Sequence, residues 1–147
     1  MIRRLGPLVL LVLVAVACGQ ARDETTRSPN GSITAPGRLG VIHLQPGDCV
    51  RDRIPEVVDV LIGVPCSRPH HAQVVAIGDT NVVEVGDPNA IDQLCGDRIL
   101  EISAGLIDRD DLPIIDVSLL IEEERGRVAC LLEFSEAISE DLVRTTA

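Results

Sequence analysis

The sequence predicts an α+β fold: a small antiparallel sheet with one main helix packed on it, stapled by two disulfides. Three observations predict it. Short β-branched runs alternate with turns rich in Gly, Pro, Asn and Asp. One stripe of apolar residues at helical spacing stands among them. Four cysteines, Cys49, Cys66, Cys95 and Cys130, lie inside this patterned region, downstream of a segment with export character.

The elements follow in order. Val41–Leu44 reads as extended before the turn Gln45-Pro46-Gly47-Asp48, and Cys49-Val50 restarts the strand. Val57–Ile62 is β-branched and ends at Gly63. Ala72–Ile77 and Val82–Val85 read as a hairpin across Gly78-Asp79-Thr80-Asn81. Next comes the helix: Asp87 suits the cap, Pro88 the first helical position, and Ile91, Leu94, Cys95, Ile99 and Ile102 form one face. Ile114–Ile121 and Val128–Leu132 flank Glu122–Arg127, where Gly126 can take positive φ. Both runs are mostly apolar, which places this hairpin centrally. Residues 38–135 are therefore expected as the folded domain. Residues 136–147 are expected as a polar tail, with at most a frayed helical turn at Ser139–Arg144.

The N-terminus reads as an address. Met1-Ile2-Arg3-Arg4 is a positive n-region, and the aliphatic run Leu8–Val16 is too short to cross a hydrocarbon core of ~30 Å. Ala15-Val16-Ala17-Cys18-Gly19 resembles the lipobox of bacterial lipoproteins, with Ala15 where Leu is usual. The resemblance implies a signal peptide over residues 1–17 and lipidation of Cys18, whose thiol receives diacylglycerol, with palmitate among the acyl groups. Two or more acyl chains anchor stably where one does not. The expected location is the extracytoplasmic face of the cell membrane. Residues 18–37 lack apolar periodicity and are rich in turn formers, so they are expected as a flexible tether.

Composition narrows the functions. Thirteen arginines, no lysine and twenty-three acids leave a formal charge of -10, and no basic run stands out along the chain, so nucleic acid is not an expected partner. With no Trp, no Tyr and one Phe, Phe134, stacking platforms for bases or sugar rings cannot be built.

Four cysteines allow three disulfide pairings. Local context favours Cys49–Cys66, pinning a strand start to the next strand's end, and Cys95–Cys130, pinning a helix to a strand. The competing reading is zinc, since Cys66-Ser67-Arg68-Pro69-His70-His71 offers a thiolate and two imidazoles. Against it, no Cys-x-x-Cys pair exists, and adjacent histidines in an extended chain point to opposite sides. No metal and no cofactor is expected. Asp108-Arg109-Asp110-Asp111 and Glu122-Glu123-Glu124 lack the spacing of a calcium loop and read as solvated acidic surface. Ser67 has His70 nearby but no nucleophile elbow, and neither a phosphate loop nor a His-Glu-x-x-His helix occurs, so an enzyme is not expected.

Gly47-Asp48-Cys49, then Val64-Pro65-Cys66-Ser67-x-Pro69-His70 leading into an apolar strand, resembles the septum formation family of actinobacterial envelope proteins. A helix-borne Cys95 and the final Cys130-Leu131-Leu132 strand extend the resemblance over roughly residues 40–134. It departs where His71 and Gln73 replace a common acidic residue and where a tryptophan before the last hairpin turn is absent. The resemblance implies a disulfide-bonded extracytoplasmic domain in cell division or envelope assembly, with no enzymatic mechanism.

His70 has two readings. Its ring can hydrogen-bond a backbone carbonyl and lock the loop, or it can contact a partner jointly with Arg68 and His71. The expectation is a non-catalytic lipoprotein that binds cell-envelope or cell-division proteins. The alternative is a small-ligand or metal-binding envelope lipoprotein, suggested by His70, His71 and the carboxylates.

Overall fold

The computed structural model describes residues 25–79, 89–106 and 114–145. The expected signal peptide, Cys18, the expected Val82–Val85 strand, the expected Asp87-Pro88 cap and the acidic run at 108–111 lie outside the described residues.

Among the described residues there are eight strands: β1 Thr26–Arg27, β2 Ile33–Ala35, β3 Gly37–Leu39, β4 Cys49–Val50, β5 Leu61–Val64, β6 His70–Asp79, β7 Ile114–Glu122 and β8 Arg127–Ile138. Two helices, α1 Ala90–Leu106 and α2 Leu142–Thr145, join them. β1 and β2 pair with each other, and the other six form one antiparallel sheet in the order β3-β5-β4-β6-β8-β7. The fold is α+β, as the sequence predicts.

The alternation of β8 divides the core between the two faces of the sheet. Ala129 and Leu131 join Ala72, Val74 and Leu120 beneath the N-terminal residues Leu39, Leu44 and Val50. Cys130, Leu132 and Phe134 meet Cys95 and Ile102 of α1 and Leu142 and Val143 of α2 on the other face. In β6 the register advances from Val74↔Leu131 to Ala76↔Cys130, so Val75 is an extra residue, a β-bulge. Side chains change face there: Val75 and Ala76 both pack toward the helices, and Ile77 returns to the opposite cluster. At Gly78 α1 approaches closely: a Cβ there would stand 2.6 Å from Leu94 Cδ1, so the Leu94 side chain would have to shift.

Both expected disulfides are present. Cys49 and Cys66 have Cα atoms 5.3 Å apart, and Cys95 and Cys130 are 6.0 Å apart. The first closes β4 onto the turn after β5, and the second ties α1 to β8; the β7–β8 hairpin is not central as expected, since among the described residues β7 is an edge strand and β8 lies next to it. Gly126 takes φ 64° in the β7–β8 connection, where the sequence places a left-handed residue.

Four other expectations are corrected. Val41–His43 is a 3-10 turn, not a strand. Three-residue periodicity sets Val41 and Leu44 on one side, and both are buried. The β5 strand begins only at Leu61, because its partner β3 is three residues long, and Val57 is 80% exposed. Residues 26–35 are not tether, since the β1–β2 hairpin occupies them and buries Ile33. The C-terminal segment is no polar tail: β8 continues to Ile138, and Leu142 and Val143 are buried in the core.

Candidate functional site

The motif around Cys66 folds into a turn and then a strand. The Arg68 backbone N–H donates to the Pro65 carbonyl at 2.8 Å, which reverses the chain after the disulfide. Ser67, Arg68 and Pro69 are exposed on this turn, and β6 starts at His70. The strand entry carries His70 into the core, where it is 0% exposed. Its Nδ1–H donates to the Arg68 carbonyl at 2.9 Å, and its ring stands edge-on to Phe134 at a centroid distance of 5.9 Å. Among the described residues, Nε2 is buried and has no hydrogen-bond partner.

Burial pushes the His70 pKa below its ordinary value, since the charged ring would lose its hydration. The Arg68 carbonyl and the Asp141 carboxylate act in the opposite sense, and His71 adds to the lowering. A neutral ring with Nδ1 protonated is the form this pocket accommodates. His71 is partly buried, and its Nδ1–H donates weakly to the Phe134 carbonyl at 3.4 Å.

Arg68, His70 and His71 do not form one exposed surface. Arg68 faces solvent, His70 is enclosed, and His71 is held to the β8 backbone. Ser67 makes no hydrogen bond to His70 among the described residues. Among those same residues, no three His, Cys, Asp or Glu side chains are grouped to hold a metal ion. Beside the Cys49–Cys66 disulfide lies a cavity of about 220 Å³, with Ser32, Asp48, Ser67 and Asp141 in its lining. Asp48 is occupied: it is 3% exposed, accepts two bonds of 2.6 Å from Arg27 and accepts the Gln45 backbone N–H at 2.8 Å.

Gln73 has a larger role than its place in the sequence suggests. It is fully buried and bonded to the C-terminal segment through Asp141 and Leu142. In the sequence it shows only as a departure from the septum formation pattern. A second group of residues was invisible in the linear pattern. Arg27, Arg38 and Arg127, drawn from β1, β3 and β8, line one cleft. No known protein family, curated protein or solved structure matches the chain.

Proposed function

We propose that this chain is a lipid-anchored domain on the extracytoplasmic face of the cell membrane, which acts by binding cell-envelope or cell-division proteins and not by catalysis. The observation that carries the reading is the pair of disulfides built into the sheet, with Cys49, Cys95 and Cys130 fully buried. Such bonds persist in oxidising compartments and not in a bacterial cytosol. The n-region, the short aliphatic run and the lipobox-like Ala15–Gly19 supply the route out and the attachment at Cys18.

The resemblance to the septum formation family supports the choice of partner class. The segments that carry it are adjacent in space, with Cys66 Sγ 3.3 Å from the Gly47 carbonyl oxygen and bonded to Cys49. The non-catalytic part rests on how the reactive side chains are used: the cysteines near Ser67 are oxidised, and His70 is turned inward to a backbone carbonyl.

The test is proximity labelling from the native anchor, with fractionation of the same cells. The expected result is recovery in the membrane fraction without residues 1–17, labelling of envelope or division proteins, and release from the membrane on Cys18→Ala. Recovery as an unacylated soluble protein that keeps Met1 would refute the reading.

A further inference from the structure

With twenty-three acids and thirteen arginines in the chain, carboxylates are the commoner charged groups. A cavity of about 370 Å³ beside Arg51 and Arg68 has none in its lining, and neither has a larger one of about 410 Å³. Arg27, Arg38, His43 and Arg127 surround the larger, with Thr25 and Gln45 as neutral polar groups.

The three arginines differ in what already engages them. Arg27 is committed, with Nη1 and Nη2 each donating to the Asp48 carboxylate at 2.6 Å. Arg127 donates from Nη2 to the Leu44 carbonyl at 2.8 Å, an uncharged acceptor, and its buried Nε has none. Asp79 and Glu122 stand opposite Arg127 on the neighbouring strands, yet no ion pair joins either to it among the described residues. Arg38 is exposed, and its guanidinium makes no hydrogen bond or ion pair among the described residues. Two guanidinium groups, on β3 and β8, thus border the cleft with their charges unmatched by a bonded carboxylate.

We propose that this cleft binds a phosphate-bearing ligand, a phosphate monoester or diester. A carboxylate presents one planar pair of oxygens and is satisfied by one guanidinium, as Asp48 is by Arg27. A tetrahedral phosphate presents oxygens in several directions and suits arginines approaching from separate strands. The phosphate occupies a minor part of the cavity of about 410 Å³, so the esterified alcohol has room beside Thr25 and Gln45. A soluble phosphoester and an anionic lipid headgroup share this chemistry. The inference holds with or without an acyl anchor on the chain.

The full chain is titrated calorimetrically at fixed ionic strength with glycerol 1-phosphate, with dihexanoyl phosphatidylglycerol below its micellar concentration, and with sodium acetate. Saturable binding of at least one phosphoester is expected, and Arg38→Glu should weaken it at least about tenfold. Arg51→Glu, a reversal at an exposed arginine outside the cleft, should leave it unchanged. Tighter binding of glycerol 1-phosphate assigns the site to soluble phosphoesters, and tighter binding of the lipid assigns it to headgroups. The proposal is overturned if neither phosphoester saturates the protein by about 10 mM, if acetate binds equally well, or if Arg38→Glu and Arg51→Glu titrate alike. Arg127→Gln, with its thermal midpoint measured alongside, provides a second variant expected to weaken the same binding.

Discussion

The side-chain oxygen of Gln73 accepts the backbone N–H of Leu142 at 3.0 Å, while its amide nitrogen donates to Asp141 Oδ1 at 2.8 Å. A buried amide on the sheet thereby fixes the start of α2 and sets Leu142 and Val143 into the cluster around Phe134. Gln73→Leu should lower stability by about 1–3 kcal/mol, because the Leu142 N–H and the Asp141 carboxylate lose a partner. A chain ending at Ser139 should lose about 3–5 kcal/mol, since a buried leucine goes as well. Guanidinium denaturation followed by far-UV circular dichroism measures both, and a truncated chain as stable as the full one would rule out this role.

The Arg27–Asp48 pair fastens the N-terminal hairpin to the turn before β4. Asp48 is almost fully enclosed, whereas Arg27 keeps some solvent contact and also donates to the Gly31 and His43 carbonyls at 2.7 and 3.0 Å. Arg27→Ala leaves a buried carboxylate without its counter-charge, at a cost of about 3 kcal/mol. Replacing both residues, Arg27→Met with Asp48→Leu, should recover part of that loss, because neither charge remains to be desolvated. A urea series on the two single variants and the double variant gives the coupling, and strict additivity would show that the pair is not a unit.

His70 makes stability depend on mildly acid pH. Its folded pKa is lowered by burial, so the unfolded chain takes up the proton first as pH falls. The contribution of the neutral ring is complete above the unfolded value of about 6.5 and is lost as pH drops from there toward the folded pKa, at no more than about 1.4 kcal/mol per pH unit. His70→Gln removes this titration and should flatten the stability curve between about pH 7 and 5. Parallel curves for variant and parent over that range would contradict the assignment.

Opening the disulfides should cost about 3 kcal/mol for Cys49–Cys66 and about 4 kcal/mol for Cys95–Cys130, from the chain freedom that loops of these lengths restore to the unfolded state. Paired substitution to alanine with denaturant titration tests the order. The larger loss belongs to the bond that ties α1 to β8.

What was legible in the sequence was local. The Leu94–Ile102 stripe and the β7–β8 hairpin around Gly126 follow from spacing, local context favours the two cysteine pairings among the three possible, and each reappears in the fold. What escaped was long-range and polar. Residues 26–35 carry one core residue, Ile33, and owe their order to a guanidinium that meets a carboxylate twenty-one positions later. The C-terminal turn likewise depends on an amide sixty-nine positions earlier. No windowed periodicity registers such pairs. The arginine cleft is the extreme case, since the side chains that border it are gathered from both ends of the chain.

The extra residue at Val75 leaves β6 sensitive to changes in its length. Deleting Val75 would remove the break between Val74 and Ala76, and every side chain on one half would then rotate to the wrong side. Ile77 would be driven toward α1, and the Leu94 seat at Gly78 would be lost. Indels there are thus ruinous, whereas the loop at Val57, which lies outside any ladder, can change length at lower cost so long as Ile54 and Val58 keep their seats on the core. Lineages of this domain should vary in size at that loop and keep the number of residues from His70 to Asp79 constant.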